Sequence, residues 1–259
     1  MVNSVIALSV PQLALGYIFI IVILFILKKR QISREKELIL ATFRMTFQLV
    51  VVGLLLTVVI DNPHPLITLL IVSIMVGFAV FTVFRKFKGR LSTALKKVIA
   101  VSLPVGALSS LMYFLFAVIG VEPYFNPQYV IPITGMIVGN SMTGVSLGVH
   151  TMMNRFTDNK EALETALHLG AAPKTASKHI INESFDAAIM PTLNNMLGMG
   201  IIFLPGMMTG QILSGVVPTT AIMYQIGVML GILGGVAFST FLSLRWGYKT
   251  FFNAQDQLR

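Results

Sequence analysis

Seven runs of about 20 apolar residues leave this chain little sequence with which to build anything but a bundle of membrane-crossing helices, because a hydrocarbon core ~30 Å thick demands that length of apolar helix. The runs are Val5–Leu27, Leu38–Ile60, Leu66–Phe84, Val98–Ile119, Val130–Val149, Ala187–Leu213 and Thr220–Leu244. The expectation is an all-α, polytopic membrane protein, a single transmembrane domain over residues 1–259 with about seven spans. A mean hydropathy of +0.83 with only 11% charged residues agrees, and no stretch remains for a separate soluble domain.

The chain carries 19 Lys and Arg against 10 Asp and Glu, a balance that in a soluble protein would raise nucleic acid as a partner. Placement argues for a lipid bilayer and no nucleic acid. Every Lys or Arg except Arg44 falls within Lys28–Lys36, Arg85–Lys97, Arg155–Lys178 or Arg245–Arg259, whereas Asp61–Pro65, Gly120–Tyr129 and Ser214–Thr219 hold none. Alternation of this kind is the positive-inside pattern. No basic residue precedes Lys28, so the first run lacks the charged start of a signal peptide and reads as a retained span. Its N-terminus is expected outside and the C-terminus in the cytoplasm.

Several chemistries are excluded or weakened. There is no cysteine, hence no disulfide, thiolate metal site or cysteine nucleophile. There is no G-x-x-x-x-G-K-[ST], so the chain does not bind ATP by a P-loop. Gly144-Val145-Ser146-Leu147-Gly148 matches the nucleophile-elbow pattern, with His150 nearby. The strand-to-helix context that pattern needs is missing, and no acid orients the histidine. His64, His168 and His179 are scattered without metal-ligand spacing. A transport protein fits better than an enzyme.

The most informative polar stretch is the charged segment of about 154–186. Asp158 with Glu161 reads as a helix start, Ala162, Leu163, Ala166 and Leu167 repeat at helical spacing, Gly170 stops the helix, and Pro173 suits the first turn of the next. A helical hairpin is thus expected on the cytoplasmic side before the sixth run.

The wording Glu164-Thr165-Ala166-Leu167-His168-Leu169-Gly170-Ala171 resembles the EAA loop of ABC-transporter permeases, the coupling helix that docks on the cytoplasmic ATPase. Ile131-Pro132-Ile133-Thr134-Gly135-Met136-Ile137-Val138-Gly139-Asn140-Ser141-Met142, the Leu169-Gly170-Ala171 corner and the Leu204-Pro205-Gly206-Met207-Met208-Thr209-Gly210 run together resemble the FetB-type permeases over nearly the whole chain. That family is linked to iron export and includes relatives in plant aluminium tolerance. The resemblance implies ATPase-coupling residues Glu161, Glu164, Ala166, Leu167, Leu169, Gly170 and Ala171, with Leu167 and Leu169 filling the groove of the ATPase, Glu164 at its rim and Gly170 turning the chain. It further implies a homodimer in the bacterial plasma or inner membrane, paired with a separate ABC ATPase that holds ATP and Mg, while this chain binds no cofactor of its own. One departure stands out: Ile189-Met190-Pro191 lies about twenty residues beyond Gly170, farther than the corresponding element in commoner permeases.

The interior of the bundle is expected to be tight, because glycines four apart at Gly135/Gly139, Gly144/Gly148, Gly206/Gly210 and Gly227/Gly231/Gly235 share helix faces. Pro205-Gly206 should break or kink the sixth run. Candidate translocation-path residues are Arg44, Gln48, Met136, Asn140, Met142, Asn194, Asn195, Pro205, Met207 and Met208. Each has a structural alternative: Arg44, roughly 9 Å along its helix from Leu38, can snorkel to headgroups, the asparagines can bond helix to helix, and the methionines can fill gaps in the core. As thioether ligands the methionines suit soft Cu(I) better than iron, so they identify no metal.

Three function classes remain, the last being a non-transporting membrane scaffold that uses the glycine faces for assembly. The first is an ATP-driven permease, exporting iron or another metal species by resemblance, or an organic solute such as a nucleotide sugar. The second is an ion-coupled secondary transporter, a class that usually needs acids within the membrane, whereas none of the ten lies inside an expected span.

Overall fold

The computed structural model describes residues 8–258, and the first residues of the run expected from Val5 lie outside that range. The described chain is helical throughout, with no strand. In order the helices are α1 (Val10–Gly16), α2 (Ile18–Lys29), α3 (Glu35–Asp61), α4 (Pro65–Lys86), α5 (Thr93–Tyr113), α6 (Pro127–Asp158), α7 (Lys160–His168), α8 (Pro173–Ala176), α9 (Lys178–Gly198), α10 (Gly206–Leu213) and α11 (Pro218–Gly247). Among the described residues, six segments are long and apolar enough to span a bilayer: α1 with α2, then α3, α4, α5 with its π-helical extension Phe114–Ile119, α6 and α11. The seventh expected run, Ala187–Leu213, is divided between α9 and the short α10, with Met199–Pro205 between them. Pro205 and the left-handed Gly200 (φ +82°) interrupt it, a conformation glycine adopts without a Cβ clash.

Two compact units divide the chain: residues up to Asn62 with Leu213–Gly215, and the remainder. In the first unit Val59 is the one buried side chain of α1–α3, and Phe19, Phe25, Phe43 and Leu54 lie on the outside. An apolar exterior of this kind is stable in lipid, which is as apolar as leucine. The polar groups close among themselves: Tyr17 and Thr46 share a 2.5 Å hydrogen bond, and the Thr42 and Thr46 hydroxyls donate to the carbonyls of Leu38 and Thr42.

The second unit is built around α11, which packs on α5 and α6, while α6 also packs on α4 and α9. Small residues let the backbones close in. Along the α5–α11 seam the hydroxyls of Ser102 and Ser243 lie 2.6 Å apart, Ser110 donates to the Gly231 carbonyl at 2.7 Å, and Ser239 donates to that of Leu103 at 3.2 Å. A Cβ at Gly144 would press on Val236, and one at Gly148 on Thr240 and Ala188, so both glycines of that expected face are true close approaches. Gly139, Gly206 and Gly210 face open space instead.

α6 continues well past Val149 to Asp158, so its 32 residues reach about 48 Å, longer than the hydrocarbon core is thick. The helix break expected at Asp158 falls one residue later, at Asn159. At this end Phe87 meets His150, and Gly247 lies against Leu95 and Met152. The basic ends of α4, α6 and α11 therefore gather at one end of the unit.

Candidate functional site: a corner at the basic end of the bundle

α7 is held to the bundle by Leu163, which is buried, and by Leu167, which packs against the core from a half-buried position. Glu161 and Glu164 lie on its outer side, with Glu164 3.7 Å from Lys160. The helix closes with Gly170 N–H donating to Leu167 O and Ala171 N–H to Ala166 O, and Gly170 adopts φ +87°. These two bonds satisfy carbonyls the last turn would leave open. Ala172 and Pro173 then start α8.

That geometry separates the two leucines expected to act together. Leu169 is 84% exposed, whereas Leu167 is partly committed to the chain's own core. The residue pair is spaced by two on a helix, which puts its members on different faces. Leu169 with Gly170 therefore forms an apolar, exposed corner beside the half-buried Ala166 and Ala171. Between α7, this corner and the C-terminal residues Gln255–Leu258 runs a groove of about 600 Å³ bordered by Glu164, Leu167 and His168.

The C-terminal contribution has no precursor in the hydropathy pattern. Phe156 near the end of α6 stacks on Phe251 with ring centres 4.3 Å apart, and meets Phe252 edge-on at 5.9 Å. Beyond them the Asn253 carboxamide oxygen accepts from the N–H groups of Gln255 and Gln257, both at 2.9 Å, which folds the tail into a tight loop. Aromatic residues after the last span could have signalled such an anchor.

The candidate path residues divide. Arg44, half-buried, and Gln48, exposed, belong to α3 in the first unit. In the second, Asn140 lies halfway along α6, its amide donating to the Met136 carbonyl at 2.7 Å. Met136, Met142, Met196 and Met207 pack against the core cluster, and Met208 is buried. These methionines fill core space. Asn194 and Asn195 on α9 are exposed, and Pro205 stands at the start of α10. Four further oxygens, those of Ser141, Tyr224, Gln225 and Thr240, are buried without a hydrogen-bond partner among the described residues. Such groups cost stability unless something polar meets them. No three His, Cys, Asp or Glu side chains among the described residues come together as metal ligands.

Residues 10–252 match the family described as Uncharacterised protein family (UPF0014). Among similar proteins, the UPF0014 membrane protein YjkA of Bacillus subtilis is 29% identical, with 96% of this chain and 97% of that one covered. The probable iron export permease protein FetB of Escherichia coli is 31% identical over 95% and 93% of the two chains. The protein ALUMINUM SENSITIVE 3 of Arabidopsis thaliana is 32% identical over 96% and 89%. No solved structure matches the chain.

Proposed function

Because the chain belongs to the UPF0014 family, whose match covers residues 10–252, we propose that it is the membrane-spanning permease subunit of an ABC transporter. In this reading it exports iron or another metal species, driven by ATP hydrolysis on a separate subunit, and works as a homodimer with two copies of that ATPase. The printed name of the Escherichia coli relative supports the cargo. The coupling role rests on one observation: the Leu169-Gly170 corner is exposed and apolar, and it lies beyond the end of α6, the longest helix of the bundle. A cleft on a partner protein would remove Leu169 from water and gain roughly 1.5–3 kcal/mol from that side chain.

The basic end of the bundle would face the cytoplasm, with the N-terminus outside, as the distribution of Lys and Arg favours. The broken segment from α9 to α10 and the unpaired oxygens of Ser141, Gln225 and Thr240 are the places where a polar cargo could meet the protein interior.

The test is co-purification of the detergent-solubilised protein with candidate ATPase subunits, comparing wild type with Leu169→Asp. Capture by wild type and loss in a folded variant is the expected result. A folded wild-type protein that captures none of them would turn the reading toward an ion-coupled carrier.

A further inference from the structure

A second site lies at the basic end, on the α9–α11 face of the bundle. Lys178, Asn182 and Phe185 recur along α9 at spacings of four and three, and Phe241 and Arg245 lie four apart on α11 with Tyr248 just past its end, so each set follows one face of its helix. The two faces enclose a groove of about 750 Å³, which Lys174 joins from α8. Its floor is apolar, and no Asp or Glu lines it.

Three cations thus share one groove, and none forms an ion pair with a described acid. The acid nearest in sequence, Glu183, is engaged by Arg155 at 3.1 Å and His179 at 3.7 Å. The Arg245 guanidinium lies 5.7 Å from the centre of the Phe241 ring, and that ring is itself half exposed on the outer surface of α11. Ile222, Ile226, Leu230 and Phe238 continue an exposed apolar face along the same helix. The change from that face to Arg245, Trp246 and Lys249 is the composition of a membrane–water boundary.

We propose that this groove binds an anionic phospholipid. The phosphodiester sits among Lys174, Lys178 and Arg245, with the Tyr248 hydroxyl and the Asn182 amide as further polar partners for the headgroup. An acyl chain lies over Phe185 and Phe241 and continues along the outer face of α11. Charge complementarity selects the occupant: a zwitterionic lipid brings its own cation into a groove that offers three, whereas a lipid with net negative charge does not. The apolar floor selects an amphiphile over a small anion. The site requires only that the chain sits in a bilayer, and it stands whether or not an ATPase docks at Gly170.

Trp246, the only tryptophan in the chain, adjoins Arg245 and reports on the site. The experiment reconstitutes the full-length protein into phosphatidylcholine vesicles and measures quenching of Trp246 by brominated-chain phosphatidylglycerol or, at equal mole fraction, brominated-chain phosphatidylcholine. Wild type should prefer the phosphatidylglycerol by roughly fivefold or more, the factor corresponding to ~1 kcal/mol for even one juxtamembrane cation. The combined variant K174Q/K178Q/R245Q should bring that ratio close to one, while K86Q/K88Q, outside the groove, should leave it as in wild type. Equal quenching by the two lipids in wild type would overturn the proposal, as would an undiminished ratio in the triple variant or an equal fall in K86Q/K88Q. Loss of the preference on adding inorganic phosphate, but not sodium chloride of matched ionic strength, would reassign the groove to a free anion.

Discussion

Gly106 on α5 and Ser239 on α11 stand so close that a Cβ at position 106 would overlap the amide nitrogen and Cα of Ser239. Backbone meets backbone there, so no side-chain rotation can relieve the clash. Gly106→Ala should cost about 1–3 kcal/mol through forced separation of the helices, whereas Ser239→Ala, which removes the hydrogen bond to Leu103, should cost only ~0.6 kcal/mol. Thermal or SDS unfolding in detergent, followed by circular dichroism, checks the order. Equal melting points for the two variants would contradict the close approach.

The two leucines at the end of α7 should respond differently to truncation. Leu167→Ala removes packing against the core and should lower stability by about 1–2 kcal/mol. Leu169→Ala should stay within about 0.5 kcal/mol of wild type, because its side chain is exposed. Melting temperatures of the isolated protein decide this without reference to any partner.

Gly170 has open space where a Cβ would stand, so its requirement is purely one of backbone conformation. Gly170→Ala should cost about 1–2 kcal/mol, and Gly170→Asn less, since asparagine tolerates the left-handed region. Hydrogen exchange at the Gly170 and Ala171 amides, which close the end of α7, should accelerate in the same order.

The stack of Phe156 on Phe251 pins the C-terminal loop to α6. Phe251→Ala should forfeit about 0.5–1.5 kcal/mol of ring–ring interaction in addition to buried area. The expected outcome is faster tryptic cleavage after Lys249, with the transmembrane part intact on mass spectrometry. Unchanged cleavage would mean that the loop is held by other contacts.

The membrane helices are legible in the sequence because their signal is length and hydropathy, which the bilayer itself imposes. The continuation of α6 from Val149 to Asp158 is not, since Arg155 and Asp158 depress the hydropathy while Met152 and Phe156 keep a helical face buried. Pro205-Gly206 marks an interruption, yet the break begins earlier, at Met199, where Gly200 takes a left-handed turn whose geometry no apolar pattern encodes. For the corner, the Glu164–Ala171 wording locates the turn, but which leucine faces the core depends on where α6 delivers the helix. The groove between α9 and α11 is not legible for a related reason: Lys174 and Lys178 stand about seventy residues from Arg245, and only the packing of the two helices unites them.

α6 crosses from Pro127 to Asp158 as one continuous helix, and α7 follows with no linker beyond Asn159. A beam without a joint transmits rotation undiminished: tilting a 48 Å rod by about 5° sweeps its far end through ~4 Å. Beside it, the sequence from α9 to α10 is interrupted at Met199–Pro205, and the glycines at 144 and 148 are the surface on which the rod meets both α9 and α11. A continuous and an interrupted member thus lie side by side, and a push at the basic end of α6 would reach the middle of the bundle as relative sliding of the two.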